Sequence, residues 1–293
     1  MSGATFDAND PVARPVVAAQ AELAREDLAA GDVDRCVVEA FAYGDEAAAE
    51  ISRHVEPGRP ALACAAGCSA CCRGTTVLAS TPEILHLARH VGETLSGEAL
   101  ATLRARVGAA ADSARRESMA DRARRGAPCP LLDEASGRCT AYEARPFSCR
   151  AFHSFDRAAC ERALGAGELA PNLPSSPVLF KVRHAVSLGV MAGAHALGLD
   201  AAPYELASAL DDALEAAARG DDLRARWLAG ERVLRPTEAT EHFRGGYRGV
   251  LDAICGALDA AGPLAPLGPP PLAGVSSRSK AERNKRKRDR KRR

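Results

Sequence analysis

Four cysteines fall within nine residues at Cys64, Cys68, Cys71 and Cys72, spaced C-x3-C-x2-C-C. A free cysteine is usually solitary and buried, so a quartet this dense calls for a chemical reason. On a helix, positions i, i+4, i+7 and i+8 would share one face. In a loop, Cys68-x2-Cys71 is still the knuckle spacing that lets two sulfurs reach one tetrahedral ion. Either geometry gathers sulfur on one side, and a metal ion or an iron–sulfur cluster is the chemistry that needs it.

A second series follows at Cys129, Cys139, Cys149 and Cys160, so eight of the ten cysteines lie between 64 and 160. Eight thiols suffice for two four-sulfur sites, or for one site and a structural or redox remainder. The sequence leaves that partition open. Adjacent Cys71 and Cys72 are poorly placed to chelate one ion symmetrically, which suggests different roles for the two. Met1 to Val17 shows no basic stretch followed by an apolar one, so no secretory signal is expected. A cytoplasmic, reducing location follows as an expectation, and there metal is a better explanation for clustered thiols than disulfides or redox pairs.

The motifs Cys64-x3-Cys68-x2-Cys71-Cys72-Arg73-Gly74, Ser80-Thr81-Pro82-Glu83, Cys129-Pro130-Leu131-Leu132, Gly137-Arg138-Cys139 and Tyr142-Glu143-x-Arg145-Pro146-x2-Cys149-Arg150 come in this order. Together they resemble the YkgJ-like cysteine-cluster proteins over roughly residues 60–160. That resemblance implies a zinc- or iron-chelating domain, and a flagellin lysine methylase carries a similar cluster. It implies the metal ligands Cys64, Cys68, Cys71, Cys72, Cys129, Cys139, Cys149 and Cys160, holding zinc or iron, as single ions or a 4Fe-4S cluster. It supplies no reaction.

The elements that must position these thiols read as mainly α. Alanine is abundant and aromatic residues are 4% of the chain, which favours closely packed helices over sheets. Loose three-to-five spacing of apolar residues predicts helices over 11–30 and 32–55, the second carrying Cys36 on its buried face. A short extended piece is expected at Thr75–Leu78. Ser80-Thr81-Pro82-Glu83 reads as a capping box opening a helix to about Val91. His86 and His90 form an H-x3-H pair on that helix, away from its apolar stripe, and are assigned to a solvated face. One long helix is expected over Gly97–Arg125. Residues 126–160 are loop-rich, so a bound ion could supply the order that regular backbone does not. Arg73 and Arg150, each following a cysteine, are candidate counter-charges for thiolates. His153 is a candidate substitute ligand or general base, with a structural role the plainer alternative.

From Ser176 the pattern is helical again: one helix lined by Val178 to Leu197, a second over Tyr204–Ala218, and a third lined by Phe243 to Leu258 with Cys255 beside its stripe. The expected division is N-terminal helices at 1–57, a metal-binding domain at 58–165, a helical region at 166–262, a linker at 263–277 and a disordered basic tail at 278–293. The tail carries +9 against +1 for the whole chain, leaving the remainder at −8. A nucleic acid or another polyanion is a reasonable partner for it, and a solubilising extension is the alternative. The apolar run Ala185–Leu199 is too short to span a bilayer, so no membrane partner is expected.

Three function classes stay open on these grounds: a metal-binding module, an iron–sulfur enzyme, and a nucleic-acid-associated protein. The three-cysteine spacing also matches radical S-adenosylmethionine enzymes. Too few strands for a (β/α) barrel, and Ala70 where an aromatic residue usually precedes the third cysteine, argue against that.

Overall fold

Two glycines at helical spacing set the centre of the molecule. In the computed structural model, which describes residues 10–165 and 173–260, helix α8 (Pro177–Ala196) lies against α1 (Ala13–Ala29) with Gly189 and Gly193 at the contact. A Cβ on Gly189 would stand 2.6 Å from Cβ of Gln20, and one on Gly193 would stand 2.7 Å from the Ala21 carbonyl. Only glycine allows this approach. The spacing of Val182, Val186 and Val190 buries the remaining inner face of α8, and α2 (Val33–Val55) packs beside it, where a Cβ on Gly44 would stand 3.6 Å from Val186.

The fold is mainly helical, as the composition predicts. Helices begin where a side chain can take an otherwise unpartnered N–H. Asp32 accepts from Arg35 N at 3.0 Å ahead of α2, and Ser176 accepts from Leu179 N at 3.0 Å ahead of α8. The pair of N-terminal helices and the capping box both form where expected. Helix α3 spans Thr81–Thr94, and Glu83 closes the box on Ser80. The extended piece is displaced from Thr75–Leu78 to strand β1 (Leu78–Ser80).

The expected long helix is instead two, α4 (Gly97–Arg116) and α5 (Met119–Arg124). The break is chemical: the Ser118 hydroxyl accepts from Asp121 N at 3.1 Å and starts a new helix. Two short strands, β2 (Leu132–Asp133) and β3 (Arg138–Cys139), then form a hairpin, followed by α6 (Phe147–Ala151) and α7 (Arg157–Gly165). After α8, Tyr204 belongs to strand β4 (Pro203–Glu205) rather than to the following helix, α9 (Leu206–Ala218). Helices α10 (Leu223–Leu228) and α11 (Glu238–Ala260) complete the described chain. The linker and the basic tail lie outside the described residues.

Strand β4 pairs antiparallel with β1, Leu78 opposite Glu205 and Ser80 opposite Pro203. That pairing ties the chain just beyond the first cysteine group to the C-terminal helices. Glu205, almost fully buried, accepts from Arg122 of α5 at 2.9 Å and caps α9 through Ser208 N. A single buried core draws on residues from Ala13 to Ile254.

His86 departs from its expected solvated position. Its side chain is 13% exposed, and Nδ1 lies 2.9 Å from the Asp34 carboxylate, which also pairs with Arg89 and Arg224. Burial alone would raise Asp34, but the bonds from Arg224 and His86 outweigh it and hold its pKa down to about 2. The aspartate thereby links α2, α3 and α10. His86 is a structural partner of Asp34, and His90 is half-exposed on the same helix.

Candidate metal centre

The first cysteine group is a turn, not a helix. Gly67 takes φ 89°, Cys68 N donates to Ala65 O at 3.0 Å, and Ala70–Cys72 makes one 3-10 turn. The second group begins in a loop and continues into the β2–β3 hairpin. There Asp133, Ser136 and Gly137 (φ 68°) make the bend, and Cys139 stands opposite Leu132.

Backbone pairing closes the distance between the groups. Cys129 N donates to Cys72 O at 2.7 Å, Gly74 N donates to Ala127 O at 2.8 Å, and Arg73 bridges to Pro128. A second contact joins the two turns at their glycines, where a Cβ on Gly137 would lie 2.8 Å from the Gly67 carbonyl. Cys149 enters from α6. That helix is held by Glu83, whose carboxylate accepts from Phe147 N at 2.7 Å, and by the Ser148 hydroxyl on Leu78 O.

These elements bring Cys71, Cys129, Cys139 and Cys149 together, and each of the four is close enough to feel the charge of the other three. Burial pushes Cys129 up to about 12 and Cys149 well above the usual thiol range, with the neighbouring thiols adding to both. Cys139 is raised mainly by burial, and Cys71 by its hydrogen bond with Cys72 and then by burial. Four thiols that raise one another's proton affinity are stable as neutral groups. They become good thiolates only when a cation arrives to displace the protons.

Cys64 lies against the chain that leads into α7. Cys64 Sγ accepts from Ser154 N at 3.3 Å, and Ala63 N donates to Ser154 O at 2.9 Å, laying this strand of chain along the approach to α7. Asp156 caps α7 by accepting from Ala159 N at 3.1 Å, which puts Cys160 in the first turn. Helix α7 packs on the 3-10 turn of Ala70–Cys72. Burial raises Cys64, with Cys68, Cys71 and Cys160 as its charged neighbours.

The donor set fits zinc or iron: the eight cysteines of this segment are thiols, and soft thiolate ligands favour those metals. Among the described residues, no three Cys, His, Asp or Glu side chains already converge on one point a metal could occupy.

The arginines expected to face the thiols serve other contacts. Arg73 pairs with Glu134 at 2.9 Å. Arg150 lies over the Phe41 ring at 4.0 Å and donates to Asp45 at 3.0 Å. The cation at the thiols is Arg145, whose charge lowers Cys71, Cys139 and Cys149. It is fixed by stacking 3.5 Å over the Tyr142 ring, with Nε–H donating to Tyr142 O at 3.0 Å. The sequence signal was its place before Pro146, three residues after the tyrosine it stacks on.

His153 takes its structural role. Nδ1–H donates to Ala151 O at 2.7 Å, Nε2 accepts from Ser176 N at 2.9 Å, and burial lowers its pKa, keeping the ring neutral. Both nitrogens are engaged, so this histidine holds the end of α6 to the start of α8.

Residues 63–164 match the family model CxxCxxCC, described as "Putative zinc- or iron-chelating domain". The match covers the whole of both cysteine groups, and here the first pair is spaced C-x3-C. No curated protein and no solved structure matches the chain. Among the described residues, no helix is long and apolar enough to cross a membrane.

Cys36 and Cys255 stand outside the matched segment. Cys36 is 1% exposed in the core, where burial pushes its thiol up to about 12, and Cys255 is half-buried with Sγ 3.7 Å from Ala192 O. Cys36→Ala and Cys255→Ala are each expected to keep the full metal content and to lose about 1–3 kcal/mol of stability or less. Elemental analysis beside a denaturation curve checks this, and metal loss in either variant would extend the site beyond residues 63–164.

Proposed function

We propose that the CxxCxxCC domain chelates zinc or iron through cysteine thiolates, with Cys71, Cys129, Cys139 and Cys149 as the principal ligands. The observation that carries this is the mutual proximity of four thiols delivered by four separate segments. Four thiolates suit a tetrahedral zinc site or a 4Fe-4S cluster. When bound, the metal supplies cross-linking energy to a segment with little regular backbone of its own.

The chain's residues do the rest. Glu83 holds α6 and so places Cys149; the pairing of 72–74 with 127–129 places Cys71 against Cys129; Arg145 offsets part of the negative charge that four thiolates bring to one cation. As ligands bind, each thiol gives its proton to solvent, so affinity falls as pH falls.

The test is elemental analysis with an absorption spectrum on anaerobically purified protein. A colourless protein with stoichiometric zinc, or a coloured one with iron and sulfide, is expected, and Cys149→Ser is expected to lose that metal. A folded wild type with no bound metal, or a Cys149→Ser variant that keeps all of it, would overturn the proposal.

A further inference from the structure

We propose that His153 is an acid-sensitive latch: a second proton on its ring breaks the joint between the cysteine-rich segment and the start of α8, so that segment loosens from its helical support as pH falls.

The joint centres on His153 and Ser176. The imidazole is buried, and Ser176 N donates to its Nε2 at 2.9 Å, the one acceptor that this N–H has among the described residues. Nδ1–H donates to Ala151 O at 2.7 Å, so the contact requires a neutral ring with its proton on Nδ1. Around it the two stretches of chain lie together. Phe155 N donates to Pro174 O at 2.7 Å, and the Ser154 hydroxyl donates to the same oxygen at 3.1 Å. The approach to the first cysteine group hangs from this stretch, with Ala63 N donating to Ser154 O at 2.9 Å. Ser176 in turn caps α8, its hydroxyl accepting from Leu179 N at 3.0 Å and donating to Glu56.

A second ring proton would sit on Nε2 and meet the Ser176 N–H. Ser176 O lies 3.1 Å from the same nitrogen, so the charged ring draws that carbonyl in and drives the N–H away. Exchanging one for the other turns the backbone at the residue that caps α8. The charges around the ring are Arg183 of α8, itself paired with Asp45, and Arg59 after α2, and both oppose a charge on it. The Glu56 carboxylate reaches the joint through the Ser176 hydroxyl. Burial, helped by the two arginines, holds the ring's pKa below the ordinary 6.5. The folded chain then takes up the proton less readily than the unfolded one. Stability is therefore lost as pH falls from the ordinary value through the lowered one.

The experiment is hydrogen exchange read by mass spectrometry on the full chain, purified anaerobically, at about pH 7.5 and about pH 5, with rates corrected for their intrinsic pH dependence. Residues 151–156 and 173–180 are expected to lose about tenfold in protection on acidification, the effect of one buried N–H left unpaired, while α4 and α9 keep theirs. His153→Gln retains an oxygen that can accept from Ser176 N and takes up no charge, so its protection should not change. Metal loss through protonated thiols would act on both proteins alike. Unchanged protection in the wild type, a loss shared by α4 and α9, or the same acid loss in His153→Gln would overturn the latch while leaving chelation untouched. Where His153→Gln does not fold, the His153 ring resonance of the wild type decides. Protection must fall with the titration of that resonance, and a ring that titrates without the fall overturns the proposal.

Discussion

Glu83→Ala should lower stability by about 3–5 kcal/mol and loosen Cys149 with it, the largest effect expected of any residue that does not itself touch metal. The carboxylate is almost completely buried and accepts three hydrogen bonds, from Ser80 N at 2.8 Å, Ser80 Oγ at 2.6 Å and Phe147 N at 2.7 Å. Alanine leaves two backbone N–H groups without partners in the core, at roughly 1–3 kcal/mol each. Phe147 opens α6 and packs edge-on against Phe41 at 4.9 Å, so its release frees the helix that carries Cys149.

Glu83→Gln should fall between wild type and alanine, because one amide oxygen still accepts while the NH2 faces a donor. Burial raises the Glu83 pKa above its ordinary value despite these bonds. The folded state then holds the proton more tightly than the unfolded chain does, so wild-type stability falls as pH rises from the ordinary carboxylate value through the raised one. The gap between wild type and Glu83→Gln should narrow over that window. Denaturant midpoints at several pH values, with metal content and proteolysis of residues 147–165, measure all three effects. An alanine variant within about 1 kcal/mol of wild type would remove Glu83 from the positioning of Cys149.

Local signals carried over well into the structure. The apolar spacing of Val33, Val37 and Phe41 and of Val182, Val186 and Val190 located α2 and α8, and Ser80-Thr81-Pro82-Glu83 located the start of α3. What failed was nonlocal. The helical wheel turned His86 outward correctly for an isolated helix, but Asp34 and Arg224 arrive there from α2 and α10. Thr75–Leu78 looked extended, yet the strand sits at Leu78–Ser80 because residues 203–205 supply its partner. Adjacency to a cysteine suggested Arg73 and Arg150 as counter-charges. Their guanidinium groups reach Glu134 and Asp45, and Arg145 is turned to the thiols by Tyr142. The cysteine spacing announced a sulfur-rich site without saying which thiols share it, because that depends on the pairing of 72–74 with 127–129.

That pairing depends on Gly74, and Gly74→Ala should separate the two cysteine groups. The residue has φ 74°, a conformation that costs an L-residue on the order of 1–2 kcal/mol. A Cβ there would also lie 2.8 Å from the Ala123 carbonyl oxygen and 3.2 Å from its Cα, both backbone atoms that cannot swing aside. The chain at 73–74 must then back away from 123–128, lengthening the Gly74 N to Ala127 O bond and, one step on, the Cys129 N to Cys72 O bond. Cys71 loses its place beside Cys129, so bound metal should be released faster in this variant. Gly58→Ala is the control: its φ is 78°, but nothing lies within 4 Å of its Cβ position, so it carries the backbone strain without the overlap. It should lose a similar 1–2 kcal/mol from strain alone and keep wild-type metal retention. Chelator-release kinetics on the two variants, with circular dichroism to confirm that both fold, decide the matter. If Gly74→Ala releases metal no faster than Gly58→Ala, the 72–74 to 127–129 pairing does not position the ligands.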